Sequence, residues 1–459
     1  MTELPPTSGK LVVFPETVRL PGIVTSLPLN VVPSTVTSPP EAESEAPEAP
    51  SSVSAPADVE KFDADDINLS RQSEFIALSL INLFQITNSM LKTFHPIVDR
   101  RIRIALVGCG RISRNHIKAI ALHHERSELV AICDTEQERL DTAQQLVAEA
   151  AQEYPSAAHQ PKQFIGFDKL LDAIKTSALE VDLVVLTTPS GLHPSQAIAA
   201  AELGVHVCTE KPMATRWEDG LAMVKACDEA GVRLFVVKQN RFNSTLQLVK
   251  RQVEAGRFGQ LAMVSVNVFW QRPQSYYDQD NWRGTWELDG GALMNQASHY
   301  IDLLDWLIGP VDSLSASIAT LGRDIEAEDT AAMQLRWRNG ALGTMAVTML
   351  TYPKNLEGSI TILGETGTVK IGGPAVNQIE HWSFADKHPD DCLVEQASYE
   401  TTSVYGFGHP PYYSNMLDAL QGKAEALCDG QQGLLSLELL TAAYRSSRDG
   451  STVHLPLEC

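Results

Sequence analysis

A glycine turn with the chemistry of a dinucleotide site stands near the start of the regular part of the chain. Residues 101–116 have the sequence RIRIALVGCGRISRNH. An apolar run rich in β-branched residues ends at Gly108-Cys109-Gly110, and the apolar spacing then becomes helical. This order predicts a buried parallel strand, a turn and a helix. Gly108 would allow the tight turn, and Gly110 would let the backbone approach a pyrophosphate at the helix N-terminus. Ser113 replaces the third glycine of the fingerprint, so this motif alone has moderate specificity.

Asp134 supplies the second part of this signal. It ends a second apolar run, 129–133, and lies 26 residues after Gly108. An acidic side chain there can accept hydrogen bonds from both ribose hydroxyls and repels a 2′-phosphate, which favours NAD over NADP. The alternative is an aspartate that only caps the next predicted helix, from Thr135. Turn, spacing and strand together favour a Rossmann half domain.

A lysine stands where a proton acceptor could work. Lys211 follows the predicted strand 205–209, within Glu210-Lys211-Pro212. Ligands gather at the carboxyl ends of parallel strands, and a lysine whose pKa is lowered by burial can take a proton from a substrate hydroxyl. The alternative is an ordinary surface lysine. Two other predicted strands end in polar residues: Thr187-Thr188-Pro189 with His193 after them, and Gln239-Asn240-Arg241.

These residues must be positioned by two kinds of sheet. From 101 to 241 strands alternate with helices, which predicts an α/β Rossmann domain with a parallel, doubly wound sheet. Its strands are expected at 102–107, 129–133, 182–187, 205–209 and 233–238. From 242 to 459, we expect an α+β domain with a large, mostly antiparallel open sheet and a helix at 290–308. Further helices are expected at 244–255 and 411–447. Strands are expected at 261–270, 312–322, 329–338, 341–351, 358–364, 367–371 and 453–455.

The first hundred residues have a different composition. Residues 1–66 hold 11 of the 25 prolines, mixed with Ser, Thr, Ala and Glu, which predicts a disordered extension. Residues 67–100 contain the apolar, helix-compatible stretch 75–94. Its unbroken apolar part is too short to span a bilayer. A helix packed on the folded body is favoured over a membrane-surface anchor because few basic residues accompany it.

The charge and cysteine content exclude some classes of partner. The formal net charge is −21, which argues against nucleic acid or an anionic membrane as the main partner. Seven cysteines without metal-ligand spacing predict reduced thiols, a cytoplasmic protein and no metal site. No secretory signal or transmembrane segment is expected, because a basic start followed by an apolar core is missing. An open sheet with helices on one face predicts a homodimer or homotetramer formed through the other face.

The chain resembles the Gfo/Idh/MocA family of NAD(P)-dependent sugar oxidoreductases over residues 101–459. The resemblance rests on GCGRIS, TTPSGLHP, Glu210-Lys211-Pro212 and GGALMNQASHYIDLLDW. Two further stretches, QRPQSYYDQDNWRGTWELDGGALMNQASHY and TYPKNLEGSITILGETGTVKIGG, resemble the branch that oxidises UDP-2-acetamido-2-deoxy-glucuronate at C3. That branch provides a keto sugar for surface polysaccharide biosynthesis. The resemblance therefore implies an NAD-dependent oxidoreductase acting on a nucleotide sugar.

The resemblance also implies roles for individual residues. Catalytic roles fall on Lys211, His299 and Asn295. The expected NAD contacts are Gly108, Gly110, Arg111, Ile112, Asp134, Thr187, Thr188, Pro189, His193, Glu210, Lys211 and Gln239. Expected substrate contacts are Arg241, Arg272, Tyr277, Trp282, Arg283, Asn295 and His299, because arginines suit carboxylate and pyrophosphate and aromatic rings can stack on uracil or sugar.

Asn295 departs from the aspartate of many family members. Because an amide cannot accept a proton, the choice of base between Lys211 and His299 stays open. A dehydrogenase for another sugar or cyclitol, and a non-catalytic NAD-binding regulator of the same fold, also remain open. If the enzyme recycles bound NADH, 2-oxoglutarate is a candidate second substrate.

Overall fold

The computed structural model describes residues 94–157, 160–401 and 404–457. The predicted extension 1–66 and all but the end of the predicted segment 67–100 lie outside the described residues. No helix in the described part is long and apolar enough to cross a membrane. The six cysteines in this part are free thiols.

The first sheet is parallel and six-stranded, in the order β3-β2-β1-β4-β5-β6. Its strands are β1 Ile102–Val107, β2 Ser127–Asp134, β3 Lys162–Ile165, β4 Leu183–Leu186, β5 His206–Thr209 and β6 Leu234–Val236. The helices between them are α1 Ser113–Leu122, α2 Gln137–Glu153, α3 Phe167–Lys175, α4 His193–Glu202 and α5 Trp217–Ala230. The predicted doubly wound Rossmann sheet is thus confirmed. Strand β3 was not predicted, because it is a largely exposed edge strand without an apolar run.

The second sheet has eight strands, in the order β13-β12-β11-β7-β10-β9-β8-β14. They are β7 Leu261–Phe269, β8 Val311–Ala319, β9 Thr330–Trp337, β10 Leu342–Thr348, β11 Glu357–Gly364, β12 Gly367–Gly372, β13 Gln378–Phe384 and β14 Val453–His454. All neighbours pair antiparallel except β7 and β10, which run parallel. Buried and exposed residues alternate along β9, as they must when one face packs on a core. The expected mostly antiparallel sheet is confirmed.

The helices of this second part are α6 Ser244–Glu254, α7 Gln274–Tyr277, α8 Ser298–Ile308, α9 Val394–Ala397, α10 His409–Leu420 and α11 Gly430–Asp449. The helix predicted at 290–308 has two parts: a π-helical turn, Ala292–Gln296, precedes α8. The helix predicted at 411–447 is also two helices, α10 and α11. Short 3₁₀ turns occupy Pro155–Ala157, Ser190–Leu192, Gln239–Phe242 and Pro389–Leu393.

Helix α10 returns to the first sheet although it lies late in the chain. Tyr412, Tyr413 and Met416 share one apolar cluster with Ile117 and Ile120 of α1. This packing brings the start of α10 to the carboxyl edge of the parallel strands, where the candidate site lies.

Candidate active site

The glycine turn after β1 has the geometry that a dinucleotide site requires. Gly108 has φ +93°, and a Cβ there would lie 2.7 Å from the backbone carbonyl of Thr187, so only glycine fits. A Cβ at Gly110 would meet no atom of the described residues within 4 Å, which leaves space for a ligand. The turn closes on Asp134, whose Oδ2 accepts a hydrogen bond from the Cys109 amide at 2.7 Å.

Asp134 also makes the kind of contact expected of a residue that caps the next helix. Its Oδ1 accepts a hydrogen bond from the Glu136 amide at 3.1 Å, before helix α2. The carboxylate therefore joins the glycine turn to the start of α2 and stays partly exposed at the end of β2. A carboxylate fixed in this way has its outer lone pairs free for ribose hydroxyls, so these residues fit a bound NAD.

The polar ends of β4 and β5 are joined by a histidine. His193 is completely buried, with Nε2 2.9 Å from the Thr188 carbonyl oxygen and Nδ1 3.0 Å from that of Pro212. Burial lowers the pKa of His193. A neutral ring can donate to only one of these two oxygens at a time. The contacts hold the two loops together, while Thr187 ties its loop to β1 by donating to the Val107 carbonyl at 3.0 Å.

The Glu210 carboxylate is contacted by histidines that could not be identified from the sequence. Its Oε1 lies 3.1 Å from Nε2 of His116, and Nδ1 of His116 lies 2.8 Å from the Tyr413 hydroxyl. Nε2 of His409 is 3.9 Å from the same carboxylate oxygen. Burial favours a raised pKa for Glu210, but the two imidazoles outweigh it and hold that pKa well below its usual range. Glu210 is thus a buried carboxylate beside Lys211.

The ligand atoms of His116, Glu210 and His409 lie within 4.8 Å of one another, a spacing that could hold a metal ion. Both ring nitrogens of His116 are already hydrogen-bonded, to Glu210 and Tyr413. The residues come from α1, the end of β5 and α10, so no local spacing in the sequence could have indicated the cluster.

Lys211 lies in a chain of hydrogen bonds with Asn295 and Asp289. Its Nζ donates to the Asn295 carbonyl at 3.0 Å and to Oδ1 of Asn295 at 3.3 Å. The Asn295 side-chain amide in turn donates to Oδ1 of Asp289. Burial is the main cause that lowers the pKa of Lys211, and the charges of Glu210 and Asp289 oppose it. This chain of contacts joins the end of β5 to the π-helical turn.

The π-helical turn is shaped by a glycine pair and a buried acid. The Ala297 amide donates to the Ala292 carbonyl at 2.8 Å, five residues earlier. A Cβ at Gly291 would lie 1.8 Å from the Glu328 carboxylate, whose other oxygen accepts from the Leu293 amide at 2.8 Å. Burial raises the pKa of Glu328 to about 7. Wide turns of this kind are frequent at functional sites.

His299 lies in the first turn of α8 and contacts Gln239 at the end of β6. The two Nε2 atoms are 3.0 Å apart. Because the amide Nε2 of Gln239 can only donate, Nε2 of His299 is the acceptor and its proton is on Nδ1. Burial and then the Lys211 charge lower the pKa of His299 to about 3. His299 is therefore neutral at ordinary pH.

Three arginines surround the ring of Tyr276. The guanidinium carbons of Arg111, Arg272 and Arg283 lie 5.8, 5.5 and 4.6 Å from its centroid. Arg283 also forms an ion pair with Asp280 at 2.9 Å. Arg272 has no carboxylate partner among the described residues, and burial lowers its pKa. A half-buried guanidinium without an acidic partner favours an incoming anion.

The three remaining aromatic and arginine residues predicted to contact the substrate differ in exposure and in their partners. Trp282 stacks beside Arg283, whose guanidinium carbon is 4.5 Å from its ring centroid. Tyr277 is buried, and its hydroxyl has no hydrogen-bond partner within the part of the chain that the structure describes. Arg241 is only 3% exposed, and its guanidinium donates to Asp302 at 2.8 and 2.7 Å, to Gln432 and to the Leu427 carbonyl.

The site thus combines a dinucleotide cradle with a half-buried lysine at one edge of a doubly wound sheet, which is the arrangement of a nicotinamide-dependent oxidoreductase. Residues 102–238 match the oxidoreductase family's NAD-binding Rossmann fold, and residues 250–455 match its C-terminal alpha/beta domain. The chain belongs to the Gfo/Idh/MocA oxidoreductase family.

Two solved structures are similar to this chain over nearly all of their length. The WlbA dehydrogenase from Bordetella pertussis, in complex with NADH and UDP-GlcNAcA, is 61% identical, with a TM-score of 0.73. The match covers 79% of this chain and 100% of that one. The corresponding Chromobacterium violaceum complex is 55% identical with a TM-score of 0.72, covering 80% and 99%.

A more distant relative acts on a different sugar. The D-apiose dehydrogenase of Paraburkholderia graminis is 26% identical over 370 residues, which is 78% of this chain and 90% of the relative. Membership of the family alone therefore does not identify the sugar.

Proposed function

We propose that this protein oxidises the C3 hydroxyl of UDP-2-acetamido-2-deoxy-glucuronate to a ketone, with NAD as the oxidant. The observation that carries the proposal is the 61% identity, over the full length of the relative, to a dehydrogenase crystallised with NADH and UDP-GlcNAcA. The half-buried Arg272 beside Tyr276 supports it, since the substrate brings a carboxylate and a diphosphate.

Lys211 is the base in this proposal. Burial lowers its pKa, and its Nζ is held by two hydrogen bonds to Asn295 that leave the third position open to a substrate hydroxyl. His299 is a weaker candidate because its pKa is about 3 and its Nε2 accepts from Gln239. Its role is then to orient the sugar as a neutral hydrogen-bonding group.

The anionic end of the substrate binds near Tyr276. Arg272 is the preferred partner for a carboxylate or phosphate, with Arg283 and Trp282 beside it. Arg241 is left out of this set, because its guanidinium is buried and used by Asp302 and Gln432. We assign Arg241 a structural role instead.

The NAD contacts follow the carboxyl edge of the parallel sheet. Gly108 allows the tight turn, Gly110 leaves room for the pyrophosphate, and Asp134 is the proposed partner of the ribose hydroxyls. When bound, NAD accepts the hydride that leaves C3. The Oε1 atom of Gln239 is buried and accepts no hydrogen bond from residues 94–157, 160–401 or 404–457, so it can accept one from an amide group of the ligand at this edge. The remaining predicted contacts are Arg111, Ile112, Thr187, Thr188, Pro189, His193, Glu210 and Lys211.

The test is to incubate the protein with NAD and the UDP-sugar and to measure the sugar by mass spectrometry. We expect a product two mass units lighter. Incubation with and without 2-oxoglutarate decides whether bound NADH is recycled, because recycling gives product without net NADH absorbance. If no product forms while NADH binds, the proposed substrate is wrong and other sugars or cyclitols are to be screened.

We further propose a homodimer or homotetramer formed through the outer face of the eight-stranded sheet. Thr344 lies at its centre, paired with Gln334 and Ser265, and these side chains are uncharged and face outward. Leu342 and Met263 beside them are 48% and 41% exposed. Replacing Thr344 with Arg should lower the mass measured by light scattering; an unchanged mass excludes this face.

A cytoplasmic location is proposed because six cysteines are unpaired thiols in the described part. Fractionation of cells producing the full chain tests it.

A further inference from the structure

Asp289 lies behind Asn295, on the side away from Lys211. It is 1% exposed, its Oδ2 accepts from the Gly284 amide at 2.7 Å, and its Oδ1 accepts from the Asn295 side-chain amide. The chain of contacts from Lys211 through Asn295 thus ends on a buried carboxylate.

This carboxylate fixes which way the Asn295 amide points. An ionised carboxylate only accepts hydrogen bonds, so the NH₂ group of Asn295 must face Asp289. Its Oδ1 then faces Lys211, where Nζ donates to it at 3.3 Å. If the amide were reversed, its NH₂ would face the lysine and compete with the substrate for the lone pair of a neutral Nζ.

Asp289 also places a negative charge near the lysine. The charged groups that act on it are Arg283 and Lys211, which favour its ionised form, while Glu328 and Tyr277 also interact with it. Burial is the largest effect and raises the pKa of Asp289 to about 6. The charge is therefore present at neutral pH and is lost on mild acidification.

We propose that Asp289 is a positioning residue for proton transfer: it orients the Asn295 amide and thereby holds Lys211 toward the substrate hydroxyl. The inference rests on the proposed function in that Lys211 is the base. Asp289 supplies, through one intervening amide, the negative charge that Asn295 itself lacks.

Asp289→Asn tests this proposal, with Asp278→Asn as the matched control, since Asp278 is an exposed carboxylate in the same segment. We expect kcat to fall about 10- to 100-fold, as for loss of one charge-assisted hydrogen bond, with the KM for NAD unchanged. We expect the kcat of the native protein to fall below about pH 6, where Asp289 takes up a proton, and we expect this fall to be absent in Asp289→Asn. A kcat within twofold of the native value, or the same loss in the control, overturns the proposal.

A second readout does not depend on the substrate. Lys211 acetylation by limiting acetic anhydride, followed by peptide mass spectrometry across pH, reports its protonation. Removing the Asp289 charge should shift the labelling curve of Lys211 to lower pH, and an unchanged curve contradicts the proposal. Because this curve needs no turnover, failure of the proposed substrate does not obscure it.

If Asp289→Asn does not fold, Asn295→Asp replaces it. Two carboxylates in contact cannot easily both ionise, so the acid limb of the kcat profile should move to higher pH. An unmoved limb in that variant counts against the proposal.

Discussion

Arg241 forms a two-pronged ion pair with Asp302, with nitrogen–oxygen distances of 2.8 and 2.7 Å, and both residues are only 3% exposed. Asp302 lies one turn after His299 on α8, and Lys238 approaches the same carboxylate at 3.3 Å. The pair therefore connects the end of the parallel sheet to the helix that carries His299.

Breaking this pair should affect stability more than binding. Asp302→Asn leaves two buried cations without their counter-charge and should lower the free energy of unfolding by about 3–5 kcal/mol. Arg272→Met is the matched contrast and should raise the KM for the UDP-sugar with little loss of stability. Urea unfolding and steady-state kinetics of both variants check this. A raised KM in a stable Asp302→Asn protein would instead favour a substrate role for Arg241.

The two glycines of the cofactor turn should respond differently to alanine. Gly108→Ala puts a Cβ 2.7 Å from the Thr187 backbone at a positive φ, so we expect a loss of stability of about 1–3 kcal/mol. The Cβ added by Gly110→Ala meets no atom within 4 Å among the residues whose positions are described, so stability should be retained while the Kd for NADH rises. Thermal melts and NADH fluorescence titrations separate these outcomes. Unchanged NADH affinity in Gly110→Ala would place the pyrophosphate elsewhere.

Lys211→Met should remove the base while keeping the volume of the side chain. We expect kcat to fall about 10²- to 10⁴-fold, the usual contribution of a positioned base, with NADH binding retained. Lys169→Met, at an exposed lysine on α3, is the control. Product formation measured by mass spectrometry decides the matter, and full turnover by Lys211→Met would contradict the assignment.

His206 should make the protein less stable in acid. Burial lowers its folded pKa to about 4, whereas the unfolded value is 6.5. The unfolded state therefore binds the proton first, and stability falls as the pH drops from 6.5 toward 4, by about 2 kcal/mol at pH 5. His206→Asn keeps an acceptor for the Arg233 amide, which bonds Nδ1 at 3.0 Å. Urea unfolding should show that the free energy of unfolding decreases less between pH 7.5 and pH 5 in this variant than in the native protein. An equal decrease would contradict the role assigned to His206.

The sheets could be predicted from the sequence because their strands carry regular apolar patterns. Strand β1 matches the predicted 102–107, since its residues are buried on both faces. Strand β13 was missed because none of its residues is buried and no regular apolar pattern runs along it. The break between α10 and α11 was missed because the apolar spacing continues through both.

From the residue pattern alone, candidate site residues could be predicted where they stand at strand ends, whereas Asn295 and His299 were indicated only by the family resemblance. Lys211 and Asp134 follow apolar runs, and the glycine turn 26 residues earlier supported Asp134 further. Asp289 and His116 have no such signal, because their partners are brought to them by folding. Glu210 lies 94 residues from His116, so the contact depends on how the strands and α10 pack. The ion pair of Arg241 with Asp302 could not be predicted for the same reason, since Asp302 lies on a different element.

Helix α10 makes the nucleotide-binding half inseparable from the end of the chain. On α10, His409 lies 3.9 Å from the Glu210 carboxylate, and the Tyr413 hydroxyl contacts His116, which contacts Glu210 in turn. The Leu420 carbonyl accepts from the Ile97 amide, just before β1, at 2.9 Å. A fragment ending at residue 241 would lose this cover and expose the apolar surface that α10 now buries. The cofactor domain is therefore not expected to fold as an isolated fragment, and a chimeric protein that uses it must include α10 as well.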